Sequence, residues 1–277
     1  MTSPDLASSE KPALENLRTP KNPLRSWARR SLLWFAQVKQ LHIVGCARSG
    51  TTMLHYAMAA FQDTILHDQE TFVNYSPSFK ESIGLFCKNL FARSKKFYVT
   101  KRSYGWWQEE TIKRLAAQVA REEIYLINIV RDPRDVLTSN HKLNTRKYYV
   151  KPEVWLESTK AGQLLAELLS DYPYFLTLRY EDVVSQSDSA RQSIEDKFSM
   201  KMRKELQDWS RLKDNLDAMD VKNDSMSVYM HKIRNFDPQS IGTWKSDDEK
   251  SSYVRELLSS SVYGEHLRSF MEQFNYA

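Results

Sequence analysis

The sequence contains few cysteines and few glycines. Its 277 residues include two cysteines, Cys46 and Cys87, which cannot build the disulfide framework of a small secreted domain and so favour a reducing compartment. With 7 glycines it cannot be a collagen-like or other glycine-rich repeat. No apolar run reaches the roughly 18 residues that a membrane-spanning helix needs. The composition therefore favours an ordinary globular chain.

An excess of charge of one sign is also missing. The chain has 40 basic and 35 acidic residues, a net charge of +5 and a pI near 9.0. No segment is a basic block, so we expect no nucleic-acid partner. The small surplus suits a ligand that carries several negative charges. No histidine stands at a metal-ligand spacing from other histidines, cysteines or acidic residues, so we also expect no metal site.

The first 37 residues have a composition different from the rest of the chain. Residues 1–22 are rich in Ser, Pro, Lys and Glu and predict a flexible arm. Residues 26–35 mix arginines with Trp and Phe, a pattern that favours a helix at the domain edge over a membrane-surface helix. A signal peptide would need a longer apolar core, so we expect a cytoplasmic protein. Residues 38–277 are predicted to form a single domain.

Strand and helix patterns alternate along this domain. The strand-like segments are 41–44, 64–66, 97–100, 124–130 and 175–178, and the helical ones are 108–120, 135–142 and 152–170. This alternation predicts an α/β fold with a mostly parallel central sheet flanked by helices. Apolar residues at helical spacing within 186–220 predict one charged surface helix that could act as a lid.

A phosphate-binding loop is predicted between the first strand and the first helix. Gly45 and Gly50 have the G-x-x-x-x-G spacing of such loops, whose backbone amides and helix N-terminus attract anions. A loop that hydrolyses nucleoside triphosphates would carry Lys at the position of Thr51, whereas here the cation comes earlier, at Arg48. This difference favours a ligand with a shorter anionic tail than a triphosphate.

A second anion-binding position is predicted where the strand 124–130 ends. Arg131 would lie at the carboxyl end of that strand, where open α/β sheets bind ligands. Asp132 and Pro133 are typical of the start of a helix, which would place Ser139 about two turns into it. An Arg fork with a hydroxyl can bind a phosphate. A structural Arg–Asp pair beside a capped helix is an equally good reading of the same residues.

Together these segments resemble the sulfotransferases that use 3′-phosphoadenosine 5′-phosphosulfate (PAPS), and most resemble soluble bacterial members. The family's loop for the 5′-phosphosulfate, [KR]-S-G-T-T, is matched by Arg48, Ser49, Gly50, Thr51 and Thr52. Its 3′-phosphate site is matched by Arg131 and Ser139, and its later nucleotide-binding elements by Tyr180, Lys232, Arg234, Thr243 and Trp244. The resemblance implies a P-loop-like sulfotransferase architecture, PAPS as cofactor, 3′-phosphoadenosine 5′-phosphate (PAP) as product, and no metal.

The resemblance also indicates where the group that deprotonates the acceptor would lie. Cytosolic members carry a K-x-H motif after a strand, and here Lys101 is present but Ser103 replaces the His. Carbohydrate-type and several bacterial members use a Glu about twenty residues beyond the loop, a position that Glu70 occupies, with His67 as the second choice. Lys101 is expected near the transferred sulfuryl group. Arg48 is expected to act electrostatically only, because a guanidinium stays charged.

The expected reaction is sulfuryl transfer from PAPS to a hydroxyl or amine of a small molecule, such as a secondary metabolite. Tyr104, Trp106 and Trp107 could line the acceptor pocket, although aromatic residues in such positions more often only pack. Two other functions fit parts of the pattern. One is an NTP-dependent kinase or phosphotransferase, and the other is a protein that binds a 3′-phosphonucleotide without catalysis.

Overall fold

The computed structural model describes most of the predicted domain. The residues it describes are 38–62, 64–70, 96–140, 147–204, 206, 208–218 and 233–276. The predictions for residues 1–37, for Cys87 and for Lys232 lie outside this set.

A parallel sheet of five strands lies at the centre of the described residues. The strands are β1 (Val38–Gly45), β2 (Thr64–Glu70), β3 (Lys96–Arg102), β4 (Ile124–Val130) and β5 (Phe175–Arg179). Their order across the sheet is β2-β3-β1-β4-β5, and every neighbouring pair is parallel. The predicted α/β class with a mostly parallel sheet is therefore confirmed.

Helices cover both faces of this sheet. They are α1 (Thr51–Ala57), α2 (Glu109–Ala120), α3 (Pro133–Leu137), α4 (Pro152–Leu168), α5 (Tyr180–Ser185), α6 (Ser187–Phe198), α7 (Leu212–Ala218), α8 (Asp248–Ser259) and α9 (Gly264–Gln273). In β4, Ile127 and Ile129 pack in the core on one face, and Leu126 packs against α2 and α4 on the other. Because both faces are buried, β4 is apolar along its whole length.

Helix α3 is shorter than the sequence predicts. Asp132 caps it by accepting a hydrogen bond from the Arg134 amide, and Pro133 lies in its first turn, as expected. The helix ends at Leu137, however, because the Thr138 and Ser139 hydroxyls donate to backbone carbonyls of the preceding turn. Ser139 therefore lies just beyond the helix and not two turns inside it.

The predicted surface helix over 186–220 is wrong. Helix α6 ends at Phe198, the next residue Ser199 adopts a left-handed conformation with φ 53°, and α7 begins only at Leu212. The intervening backbone pairs with residues 60–62, and Trp209 is fully buried against Phe61. The apolar residues of this segment thus belong to the core, and the helical spacing results from two short helices and a turn.

No helix in the described ranges is long and apolar enough to cross a membrane. Within the same ranges, no group of three or more His, Cys, Asp and Glu side chains is arranged to hold a metal ion.

Candidate functional site

The loop between β1 and α1 has the tight turn expected of a phosphate loop. The Ser49 amide donates to the Cys46 carbonyl at 3.0 Å, and Arg48 and Gly50 have φ angles of 72° and 96°. The Ser49 and Thr51 side chains are buried, whereas Arg48 and Thr52 are exposed. The glycine motif therefore forms a compact loop at the carboxyl end of β1, directly ahead of the α1 N-terminus.

Trp106 supports this loop from inside the protein. Its indole is 1% exposed and donates to the Gly45 carbonyl at 3.1 Å. Tyr104 and Trp107 differ from it, because Tyr104 is 55% exposed and its ring contacts that of Trp107 edge-on at 5.0 Å. Of the three predicted acceptor-pocket aromatics, Trp106 is thus buried, Tyr104 is exposed, and Trp107 is partly buried against the core.

Arg131 connects three elements at the carboxyl end of the sheet. Its guanidinium donates to the Arg48 carbonyl at 3.1 Å and to the Ser240 carbonyl at 2.6 Å. Its Cζ lies 4.2 Å from the centre of the Tyr180 ring. Its Nε is buried and has no hydrogen-bond partner in the described part of the chain. Arg131 thus lies between the phosphate loop, α5 and the turn at Ser240. Its Nε–H group is a donor that none of these elements uses.

Asp135 holds the G-x-W segment against this arginine. Its buried carboxylate accepts hydrogen bonds from the Gly242 amide at 2.7 Å, the Thr243 hydroxyl at 3.0 Å and the Trp244 amide at 3.3 Å. The same carboxylate lies 3.8 Å from Arg131 Nη2. Thr243 and Trp244 are therefore brought to the Arg131 end of the sheet, although they follow it by more than a hundred residues.

The remaining predicted nucleotide residues lie at different distances from this network. The Tyr180 hydroxyl shares a hydrogen bond of 2.6 Å with Ser240, and Gly50 packs directly against the Tyr180 ring. The Ser139 hydroxyl donates to the Val136 carbonyl at 2.8 Å and makes no described hydrogen bond to Arg131. Arg234 is exposed. The structure thus joins Tyr180 to Arg131 directly, but not Ser139 or Arg234.

Arg48 and Arg131 together make the site strongly cationic. Burial, and after it the charge of Arg131, lowers the pKa of Arg48, although a guanidinium remains protonated at neutral pH. Among the described residues no carboxylate forms an ion pair with Arg48. A bound anion would relieve the repulsion between these two cations.

A second cluster occupies the ends of β2 and β3. Lys101 Nζ donates to Glu70 Oε1 at 2.9 Å, and the Ser103 hydroxyl donates to the same oxygen at 2.5 Å. Burial alone would raise the pKa of Glu70, but the hydrogen bonds from Ser103 and Lys101 outweigh it and the pKa is lowered. Glu70 is therefore a carboxylate at neutral pH and can accept a proton.

His67, the second choice for the base, has a different neighbour. Its Nδ1 shares a hydrogen bond of 2.6 Å with the Tyr98 hydroxyl. Of the two predicted bases, Glu70 is the one that contacts Lys101.

Sequence reasoning missed three features of these clusters. Asp135 lies between the matched residues Arg131 and Ser139, but its role in holding residues 242–244 depends on a contact distant in sequence. Ser240 belongs to no recognisable pattern. Ser103 was noted only as the absence of a histidine, although its hydroxyl contacts Glu70.

Neither a protein-family model nor a curated protein matches the chain. Among solved structures, the sulfotransferase domain of the Synechococcus PCC 7002 olefin synthase aligns with a TM-score of 0.59 at 13% identity, over 87% of this chain and 95% of that domain. The sulfotransferase domain from the curacin biosynthetic pathway aligns with a TM-score of 0.50 at 15% identity, over 79% and 97%. The chain has the sulfotransferase fold. The predicted P-loop-like sulfotransferase architecture is thereby confirmed.

Proposed function

We propose that this protein is a PAPS-dependent sulfotransferase that acts on a hydroxyl or amine of a small molecule. The observation that carries the proposal is the placement of Arg48 and Arg131 beside a compact loop of backbone amides, with no carboxylate ion-paired to Arg48 in the described residues. Such a site favours a ligand with several negative charges. The sulfotransferase fold supports PAPS as that ligand.

The residues present fit the two acidic ends of PAPS. Backbone amides of Ser49–Thr52, with Arg48, would hold the phosphosulfate. Arg131 would hold the 3′-phosphate, because its buried Nε lacks a partner, and Ser139 is proposed to contribute its hydroxyl. The adenosine would be bound by the later elements, for which we propose Tyr180, Lys232, Arg234, Thr243 and Trp244.

Each catalytic residue then has a defined task. When bound, PAPS supplies a sulfuryl group whose bond to the nucleotide's phosphate oxygen breaks, leaving the electron pair on that oxygen, as the acceptor atom bonds to sulfur. Glu70 accepts the proton that the acceptor loses. Arg48 and the Thr51 and Thr52 hydroxyls stabilise the negative charge that develops on the departing oxygen, without a metal. Lys101 holds Glu70 in place and adds positive charge near the sulfuryl group.

The acceptor is proposed to be a small molecule of secondary metabolism. Two of the similar solved structures are domains of the curacin pathway and of an olefin synthase, which supports an acceptor of that kind for this chain. The exposed Tyr104 and the partly buried Trp107 lie close to Ser103 in sequence and are proposed to contact the acceptor, whereas Trp106 would act through Gly45. We propose the cytoplasm as the site of action.

Nucleotide binding tests the donor assignment. We expect calorimetry to show that PAP binds at least about tenfold more tightly than adenosine 5′-monophosphate, because only PAP occupies both anion positions. Arg131→Ala should weaken PAP binding by roughly tenfold to a hundredfold, as expected for a lost charged hydrogen bond. The matched control is Arg114→Ala, an exposed arginine in a helix ion pair, which should leave PAP binding unchanged. Equal affinity for the two nucleotides would contradict the proposal.

Turnover tests the reaction itself. Labelled PAPS, incubated with metabolite extracts, should give a product that mass spectrometry identifies by an added sulfuryl group. Glu70→Gln should lower that turnover by roughly a hundredfold or more while PAP binding stays unchanged. Transfer from ATP and magnesium instead of PAPS would indicate a phosphotransferase, and tight PAP binding without any transfer would indicate a binding protein.

A further inference from the structure

Both hydrogen bonds to Glu70 fall on one of its two carboxylate oxygens. Lys101 Nζ, 2.9 Å away, and the Ser103 hydroxyl, 2.5 Å away, donate to Oε1. Among the described residues Oε2 receives no hydrogen bond, and the Glu70 side chain keeps 34% of its surface exposed. A carboxylate held through one oxygen presents the other in a fixed direction, and that oxygen is the one available to a reacting proton.

The backbone of β2 is shaped to place Glu70 there. Leu66 pairs with Val99, but the next recorded pair is Glu70 with Lys101, so β2 uses two more residues than β3 over the same stretch. A regular ladder would have set residue 68 opposite Lys101. Such irregularities are enriched near active sites, where they redirect a side chain. The irregularity brings Glu70 within reach of both Lys101 and Ser103.

Lys101 and Ser103 hold Glu70 in different ways. The Lys101 side chain is only 8% exposed and supplies a full positive charge from within β3. Ser103 follows the last residue of β3 and supplies a neutral hydroxyl from the loop. Two donors, one in β3 and one in the loop directly after it, restrict a carboxylate more than a single ion pair does, because rotation about the last bond of Glu70 would move Oε1 away from both.

We propose that Ser103 is a positioning residue, which together with Lys101 fixes Glu70 so that Oε2 faces the acceptor. The proposal rests on the proposed function for its catalytic meaning. In the reaction the acceptor's O–H or N–H bond breaks, its proton forms a bond to Oε2, and Oε1 keeps its bonds to Ser103 and Lys101. Ser103 therefore performs an orienting task at the position where the resembling family carries a histidine.

The role of Ser103 predicts a shift in the pH dependence. Hydrogen bonds to a carboxylate favour its charged form, so their loss raises its pKa. A base must be ionised to act, and activity therefore falls as the pH drops through its pKa. Removing the Ser103 hydroxyl should accordingly move the acidic limb of the kcat profile to higher pH. It should also lower kcat roughly tenfold while KM for PAPS stays within about twofold, because the donor site is untouched.

Four variants test this proposal through two measurements, the Glu70 titration and the pH profile of kcat. NMR titration of 13C-labelled glutamate side chains, with Glu70→Gln to assign the signal, gives the Glu70 pKa without any turnover. Ser103→Ala should raise that pKa, Ser103→Thr should restore it together with kcat, and the exposed control Ser170→Ala should change neither. Circular dichroism checks that each variant is folded.

The outcomes separate this proposal from the proposed function. An unchanged Glu70 titration in Ser103→Ala overturns the positioning role, even if the wild-type protein transfers sulfuryl groups normally. A raised Glu70 pKa with an unshifted kcat profile also overturns it, because Glu70 would then not be the base that Ser103 orients. A wild-type protein that fails to bind PAP overturns the proposed function, while the titration still decides whether Ser103 controls Glu70.

Discussion

Gly50 occupies the position at which the phosphate loop becomes α1. Its φ of 96° lies in the left-handed region, which side chains avoid, and a Cβ there would lie 2.5 Å from Cδ2 of Tyr180. No real Cβ tolerates such a contact, so the ring or the loop would have to move. The residue therefore links the loop's shape to the position of a proposed nucleotide-binding tyrosine.

Gly50→Ala should destabilise the protein more than Gly105→Ala does. Both glycines have positive φ, and the conformational cost of alanine there is about 1 kcal/mol. At Gly105 the nearest atom to a new Cβ is 3.6 Å away, an ordinary contact, so the conformational cost is the whole effect. At Gly50 the clash adds about 1 kcal/mol or more. Urea unfolding measures the difference, and equal losses would show that the Tyr180 ring moves aside freely.

For single residues, the sequence predicts those features that depend only on residues nearby in the chain. Asp132 and Pro133 were correctly predicted to begin a helix, because capping involves only the next few residues. The contact between Glu70 and Ser103 could not be predicted, because it depends on the extra residues in β2. Hydrophobic patterns in a sequence do not reveal where two strands lose their regular register.

The turn at residues 240–244 shows how an element far along the chain reaches the site. Asp135 accepts hydrogen bonds from two amides and one hydroxyl of this turn, and Arg131 donates to the Ser240 carbonyl. Asp135 in the middle of α3 and Arg131 just before the helix thus fix the position of the proposed adenosine-binding residues Thr243 and Trp244.

Asp135→Asn should therefore weaken PAP binding. An amide in this position brings its NH2 group against donors that need an acceptor, so the turn loosens, and we expect a loss of roughly tenfold in PAP affinity. The control is Asp247→Asn, since Asp247 caps α8 and asparagine caps helices about as well. Calorimetry measures both variants. Unchanged PAP affinity in Asp135→Asn would show that the turn does not contribute to nucleotide binding.

The predicted bounds of the helices agree less well with the structure than those of the strands do. The apolar segments 124–130 and 175–178 became strands close to the predicted bounds, because short apolar runs bounded by polar segments are typical of largely buried strands. The 186–220 segment misled because Phe198, Trp209 and Leu212 are buried at spacings that fit a helix by chance. Ser199, which interrupts it, carries no sequence signal for a left-handed turn.

At the scale of the whole molecule, ligand binding should appear as thermal stability. A ligand that binds only the folded state adds about 2.7 kcal/mol to the free energy of unfolding at a hundred times its Kd. The Tm should therefore rise with PAP concentration, and rise less at high salt, because salt screens the attraction of Arg48 and Arg131 for the phosphates. Scanning fluorimetry measures this effect. A chelator should leave it unchanged, and an equal shift with adenosine 5′-monophosphate would contradict it.

The general architecture was predictable because strands and helices alternate regularly. A parallel sheet needs a crossover between successive neighbouring strands, so alternation with apolar strands implies that sheet class. The strand order β2-β3-β1-β4-β5 was not predicted, because it depends on which way each crossover turns over the sheet. The position of the phosphate loop at the carboxyl end of the sheet was predictable from the sequence, because the glycine motif comes directly after β1.

The strand order also places the two clusters of charged residues in different halves of the sheet. Glu70 and Lys101 belong to the half that begins at β2, and Arg131 belongs to the half beyond β1, with no described contact between the two groups. Energetic changes at independent sites usually add. Replacing residues around Glu70 should therefore leave intact the 3′-phosphate affinity that we propose for Arg131, so the proposed acceptor position and the proposed 3′-phosphate position can be varied separately.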